Sequence, residues 1–249
     1  MNMQEDCGAG PLCACVHLGC KSRGISAPYR GCRFNRHDGN SSATGGCSIL
    51  SRGDYLFHEG DALKDLYVVH SGAVKSLFAK GRGVAHVLKF YLPGDMVGLD
   101  ALADGRHTSS AQALETTSVC RVNVSPAAEA YQTASTLHWR LLKLASQEMV
   151  NEHKRAVILA QHDARERLAL FLLQLSQRYR NRGLSEHEFN LSMSRRDIAS
   201  FLALTVETVS RMFTHFHSER LIKVDGRRIH LLSLERLRQI VSTDVLSIV

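Results

Sequence analysis

No stretch of this chain stays apolar for anything near the ~20 residues that a membrane span needs. The N-terminus has no basic segment followed by an apolar one, so no signal peptide is expected and the protein should stay in the cytoplasm, away from membranes. Common enzyme motifs are missing too. The deaminase pattern of His-x-Glu joined to Pro-Cys-x-x-Cys is missing, as are a nucleotide loop and a serine elbow. A metalloenzyme has no support in the sequence, and no enzymatic activity is expected. Cysteine is scarce beyond residue 47, where only Cys120 occurs, whereas Cys7, Cys13, Cys15, Cys20, Cys32 and Cys47 crowd the start. Structural disulfides are rare in the cytosol, so a crowded segment of this kind points to metal binding or redox sensing.

What is present is enough chain for two domains: 249 residues with an ordinary apolar fraction of 44%. A net charge of +7 and a pI of about 9.2 suit a polyanionic partner but do not demand one. Residues 1–47 lack periodicity, are rich in Gly, Ser, Asn and Arg, and read as an irregular cysteine-rich segment. Residues 48–130 carry short apolar runs at 55–57, 66–69, 73–78, 84–91, 96–97 and 119–124. Turn signals separate them: Glu59-Gly60-Asp61, Ser71-Gly72, Lys80-Gly81-Arg82-Gly83 and Pro93-Gly94-Asp95. This spacing predicts a β-barrel or sandwich.

Residues 131–160 change to a helical period. Leu142, Ala145, Met149, Glu152, Ala156 and Leu159 follow alternating steps of three and four, the seam spacing of a dimeric coiled coil. The same spacing also suits a single helix docked on its own barrel, with Glu152 at the edge. In a parallel dimer the two Glu152 carboxylates would face each other near the seam, where like charges are costly to bury. Lys154 and Arg155 are expected to point away, leaving Glu152 without a partner and the dimer marginal. Residues 161–249 complete the chain. They open with an amphipathic helix over 164–182, with Leu168, Phe171, Leu172 and Leu175 on its apolar face and Gly183 suited to its C-terminal cap.

The most informative stretch runs from 191 to 232. Ser194 followed by Asp197 is close to a capping box, and Ile198, Phe201 and Leu202 give the next helix an apolar face. Ala203-Leu204 makes a tight turn, and Thr205 caps a second helix carrying Val209, Met212, Phe213 and Phe216. This is a helix-turn-helix. Residues 221–231 then read as a hairpin closed by Asp225-Gly226, which adds a wing. Val206, Glu207, Ser210 and Arg211 share the exposed face at the start of the second helix, the end that enters the major groove of double-stranded DNA. Their chemistry suits base edges: Arg211 for guanine, Glu207 for the cytosine amino group, Ser210 for several bases, Val206 for a thymine methyl. Arg195 and Arg196, beside the Ser194 cap, are expected to contact phosphates. A solvated helix face would also carry charge, but the caps, turn and wing around this one favour DNA reading.

Residues 193–211 resemble the DNA-binding motif of the CRP/FNR family, the bacterial catabolite-activator and fumarate-nitrate-reduction regulators. Val206-Glu207-x-x-Ser210-Arg211 matches the FNR branch; the CRP branch has a basic residue in place of Val206 and lacks Ser210. The likeness continues upstream in Arg52-Gly53-Asp54-Tyr55-Leu56-Phe57-x-x-Gly60, Leu66-Tyr67-Val68-Val69-x-Ser71-Gly72, Pro93-Gly94-Asp95-x-Val97-Gly98 and Ala111-Gln112-Ala113-Leu114-Glu115-Thr116, which leads to Cys120. It spans about residues 48–240. The resemblance implies an α+β chain: an N-terminal double-stranded β-roll of the cyclic-nucleotide-binding kind, a long dimerisation helix and a C-terminal winged helix-turn-helix. It also implies a homodimer on inverted TTGAT-like half-sites, acting on RNA polymerase, mainly as an activator.

The resemblance bears on the signal as well. A cyclic AMP pocket needs a glutamate for the ribose and an arginine before Ser-Ala; here Asp100 stands near the first and Ser109-Ser110-Ala111 replaces the second, so cyclic AMP is not expected. The FNR branch implies an oxygen-responsive [4Fe–4S] cluster on three N-terminal thiolates and one from the β-roll. Cys120 holds the β-roll position, although a buried structural thiol would look the same. The N-terminal spacing Cys7-x5-Cys13-x-Cys15-x4-Cys20 departs from the family's Cys-x2-Cys-x5-Cys. The implied ligands are Cys13, Cys15, Cys20 and Cys120, with Cys7 as a substitute. Cys32 and Cys47 have no counterpart in the family pattern. Zinc or a thiol–disulfide switch on residues 7–20 would serve the same DNA-binding regulator.

Overall fold

The computed structural model describes residues 47–79, 85–123 and 134–241. The chain divides into two compact units at 141/142. In the first, eight strands are described: β1 Cys47–Leu50, β2 Tyr55–Phe57, β3 Asp65–Ser71, β4 Val74–Phe78, β5 His86–Tyr91, β6 Met96–Val97, β7 Ser110–Ala113 and β8 Thr117–Asn123. They form two antiparallel four-stranded sheets, ordered β1-β8-β3-β6 and β2-β7-β4-β5. The core of Phe57, Val69, Val74, Val97 and Ala111 draws on strands of both sheets. Because strand side chains alternate faces, Leu66, Val68, Met96 and Val122 point to the opposite side of the first sheet, where Leu63, Leu99 and Leu141 pack on them.

One turn recurs three times and closes the strand ends. In Arg52-Gly53-Asp54, Glu59-Gly60-Asp61 and Pro93-Gly94-Asp95, each glycine has φ near +90°. In each the aspartate amide donates to the carbonyl three residues back, at 3.0–3.1 Å. Its carboxylate accepts the amide of that same residue, Ser51, His58 or Leu92, at 2.7–2.8 Å. Gly-Asp therefore satisfies both backbone groups of the residue that starts the turn.

Two strands were not expected. β7, Ser110-Ala111-Gln112-Ala113, lacks large apolar side chains, yet Ala111 and Ala113 are buried and Ala111 joins the core. β1 shows that the irregular segment assigned to residues 1–47 ends one residue early, since Cys47 is already a strand residue paired with Cys120. The signal Lys80-Gly81-Arg82-Gly83 lies outside the described residues.

Helix α1, Ala134–Gln161, spans the seam positions. In the second unit it is followed by α2 Ala164–Asn181, β9 Glu188–Asn190, α3 Arg195–Leu202, α4 Val206–Ser218, β10 Ile222–Asp225, β11 Arg228–Leu231 and α5 Leu234–Ile240. Asp163 and Glu166 form a complete capping box at the start of α2. At its end Gly183, φ +71°, turns the chain, with its amide on the Arg180 carbonyl. The small sheet runs β10-β11-β9, so the expected hairpin gains a third strand. Asp225 pairs with Arg228, so Gly226-Arg227 makes the turn rather than the expected Asp225-Gly226.

Gly72 is the tightest glycine. At φ +80°, a Cβ there would lie 2.6 Å from the Thr116 carbonyl oxygen and 2.5 Å from Thr117 Oγ1. Gly53 has a similar φ but open space around it. Gly53→Ala should cost about 1–2 kcal/mol, the left-handed penalty alone. Gly72→Ala adds a backbone clash and should cost roughly 2 kcal/mol more. Urea denaturation of the two variants beside the parent checks the difference.

Candidate nucleic-acid interface

α3 and α4 are set by their caps. The Asp197 amide donates to Ser194 Oγ at 3.1 Å, and the Ser194 amide and hydroxyl donate to Asp197 Oδ2 at 2.9 and 2.6 Å. Ser194 is half-buried and committed to this box. Ala203 ends α3 in the left-handed conformation, φ 53°, and the Leu204 amide closes on the Ala199 carbonyl at 2.9 Å. Thr205 Oγ1 then accepts the Thr208 amide at 3.1 Å and starts α4.

The 13 residues of α4 bury Val209, Phe213 and Phe216, spaced so that one stripe faces the core. The opposite face carries Val206, Glu207, Ser210, Arg211 and, further along, Thr214 and His217, all exposed. Neither Glu207 nor Arg211 has a hydrogen-bond or ion-pair partner among the described residues. The structure thus brings Val206, Glu207, Ser210 and Arg211 together on one open surface beginning at a helix N-terminus. Thr214 and His217 lie eight or more residues into the helix and were not singled out from the sequence; the same helical period would have found them. Arg227, exposed at the tip of the wing, was likewise overlooked.

Arg195 and Arg196 part company. Arg196 is exposed. The Arg195 guanidinium lies 3.3 Å from the centroid of the Phe213 ring, and burial lowers its pKa from the ordinary arginine value. Arg195 therefore clamps α3 onto α4 and offers only part of its charge to solvent.

Two further arginines hold the motif in place. Arg167 of α2 donates to the carbonyls of Leu159 and His162 at 2.8 Å each and to that of Leu202 at 3.1 Å. Arg155 of α1 sits 4.5 Å from the centroid of Phe201 and donates to its carbonyl at 3.3 Å. Arg155 also lies 3.5 Å from a Glu152 carboxylate oxygen. This corrects the expectation that Arg155 points away and leaves Glu152 alone: three residues apart on a helix, the two side chains are neighbours. Along the seam Leu142, Ala145, Met149, Glu152 and Ala156 are exposed, while Leu159 is half-buried. Trp139, 71% exposed, lies three residues before Leu142 on the flank of this stripe and was not singled out from the sequence.

In the first unit the Asp100 carboxylate fills its own anion site. Its Oδ2 accepts the amides of Thr108 and Ser109 at 2.9 and 3.1 Å and both hydroxyls at 3.2 and 3.1 Å. Its Oδ1 is 3.4 Å from Nδ1 of buried His107, which stacks on Phe57. Cys120, 2% exposed, lies beside Cys47 with 2.9 Å between their sulfurs. Cys7, Cys13, Cys15, Cys20 and Cys32 lie outside the described residues.

Residues 166–240 match the Crp-like helix-turn-helix domain, and residues 49–133 the cyclic nucleotide-binding domain. The chain is 40% identical over 183 residues to the transcriptional activator protein Anr of Pseudomonas protegens, covering 74% of this chain and 75% of that one. It is 37% identical over 191 residues to the fumarate and nitrate reduction regulatory protein of Escherichia coli, covering 77% and 76%. Among solved structures, FixK2 from Bradyrhizobium japonicum superposes with a TM-score of 0.72 at 28% identity, over 80% of this chain and 98% of that one. No described helix is long and apolar enough to cross a membrane.

The contrast between the adjacent arginines is measurable without DNA. Arg195→Ala uncovers the Phe213 ring and should lower stability by about 1–2 kcal/mol. Arg196→Ala should change it by less than about 0.5 kcal/mol. Thermal denaturation of both variants reads the difference.

Proposed function

The chain belongs to the CRP/FNR family of transcription regulators, and on that footing we propose that it binds inverted TTGAT-like half-sites as a homodimer. In this reading residues 161–249 hold the DNA, residues 131–160 the dimer seam and residues 48–130 the sensor, with residues 1–47 supplying cluster ligands. The observation that carries the DNA reading is the open face of α4. Among the described residues Arg211 and Glu207 have no hydrogen-bond or ion-pair partner. Left unbonded in a dry groove they would be costly, and base edges offer what they lack. Arg211 donates to guanine O6 and N7, Glu207 accepts from cytosine N4, Ser210 bonds an adjacent base and Val206 meets a thymine methyl. Arg196 and the edge of Arg195 contact phosphates. The amides at the Ser194 and Thr205 helix starts face the same backbone. In this reading the protein acts on RNA polymerase in the cytoplasm, mainly as an activator.

The signal in this reading is oxygen or redox state, as the name of the fumarate and nitrate reduction relative suggests for that protein. Cyclic AMP does not fit, because Asp100 already takes the donors of Thr108 and Ser109 and would repel a phosphate. A [4Fe–4S] cluster fits the thiol chemistry better. Cys120 is a soft sulfur ligand held on a sheet strand. Among the described residues no three metal-ligating side chains converge; in this reading the other ligands are Cys13, Cys15 and Cys20, with Cys7 as a substitute. Such a cluster supplies oxygen-labile iron–sulfide chemistry. The protein's own part is to hold Cys120 at the sheet and bring the N-terminal thiolates to it.

Two measurements test these readings. Arg211→Ala should weaken specific binding by about 1–3 kcal/mol and relax preference at one guanine per half-site. Arg196→Ala should weaken all sequences about equally. Binding assays on singly substituted operators decide, and unchanged preference in Arg211→Ala would remove α4 from the groove. For the sensor, protein purified without oxygen should show a cluster absorption band, with iron and sulfide in equal amounts, that air bleaches. Cys120→Ala should fold but show none of these; a full band in that variant overturns the ligand assignment.

A further inference from the structure

Cys47 opens β1 and faces Cys120 of β8 directly across the antiparallel ladder. Both are thiols, 8% and 2% exposed, with their Sγ atoms 2.9 Å apart. Facing residues in such a ladder have Cα atoms roughly 4.5–5.5 Å apart, inside the ~4.4–6.8 Å that a disulfide spans. Shortening 2.9 Å to an S–S bond of about 2.05 Å takes less than 1 Å, within reach of side-chain rotation alone. On its other side Cys120 is paired with Val68.

From this geometry we propose that Cys47 and Cys120 are a site of oxidative modification, closing to a disulfide when the protein meets hydrogen peroxide. Cys47 reacts first, since it is the more exposed of the two and sits on the sheet's edge strand. Its sulfur attacks one peroxide oxygen, the O–O bond breaks, and one water leaves as Cys47 becomes a sulfenic acid. The Cys120 sulfur then attacks the Cys47 sulfur, forming the S–S bond and expelling the hydroxyl oxygen as a second water. Both thiol protons end in these waters: two thiols are oxidised and one peroxide is reduced. A dithiol or cellular reductant reopens the bond by exchange. Resting on the cluster reading above, one consequence follows: the disulfide withdraws the Cys120 sulfur from any ligand set.

The sequence makes the product easy to identify. Trypsin releases Cys47 in the peptide 37–52 and Cys120 in 107–121, each with a single cysteine. Full-length protein purified in air, reduced and freed of reductant, is treated with hydrogen peroxide, alkylated, digested and weighed by mass spectrometry. The expected result is a cross-linked 37–52/107–121 pair, two hydrogens lighter than the reduced peptides together and lost on adding dithiothreitol. Cys47→Ser and Cys120→Ser should each abolish it. In urea, where the register is gone, this pairing should lose its dominance over other cysteine pairs. Recovery of both peptides separately, alkylated or over-oxidised, or Cys120 joined to an N-terminal peptide instead, overturns the proposal. The cross-link needs no iron. If anaerobic reconstitution yields no cluster while the cross-link forms, the cluster reading fails and this one stands. If the cluster assembles but no cross-link appears, the reverse holds.

Discussion

The presentation of α4 depends on one side chain, Arg167. A helix leaves its last carbonyls without intrahelical partners, and burying them unpaired is costly. Arg167 reaches two such ends at once: Leu159 and His162 where α1 stops, and Leu202 where α3 stops. A guanidinium has five donors in a rigid plane and stays charged, and a cation is favoured at the negative end of a helix. Lysine could supply the charge but not three bonds in fixed directions. Arg155 adds a second tie from α1 to the last turn of α3 through Phe201. With the end of α3 fixed, the left-handed Ala203 and the Thr205 cap determine where α4 starts, and Arg195 clamps the two helices together over Phe213.

Much of this was legible in the sequence because caps and turns are local chemistry. The Ser194–Asp197 box, the Thr205 cap and the Gly183 stop follow from single residues at fixed offsets, and each is present. The Asp163–Glu166 box was equally readable and went unnoticed. What stayed hidden is non-local. β7 is built of Ser, Ala and Gln, with only Ala111 and Ala113 buried, and a pattern of such residues carries no apolar signal. The roles of Arg155 and Arg167 depend on residues 35 to 46 positions away. The Cys47–Cys120 contact joins strands 73 residues apart.

The β-roll illustrates how a binding fold changes its task. The backbone donors of Thr108 and Ser109 survive, but the anion they hold is Asp100, part of the chain itself. An internal carboxylate satisfies those donors, which contributes to the stability of this corner. The other face of the first sheet, where Val68 and Cys120 stand side by side and Leu141 packs nearby, is the part of the roll with reactive chemistry.

The seam of α1 shows why the acid at Glu152 does not need to be buried in order to matter. Leu142 and Met149 are 58% and 57% exposed, which leaves an apolar stripe of the seam open to water. Covering that stripe with a second copy is favourable, and Ala145 and Ala156 are small enough to let two helices approach. Glu152 lies in the middle of it. Its bond to Arg155 at 3.5 Å is long and half-exposed, so it is weak, and Arg155 is already engaged with Phe201. Closing the seam would force Glu152 either to give up water with a partner shared three ways or to turn outward and strain the packing around it. Either outcome subtracts from the gain along the stripe without cancelling it. A dimer closed along this seam would be sensitive to small changes at the ends of α1, whose C-terminal end Arg167 ties to the end of α3.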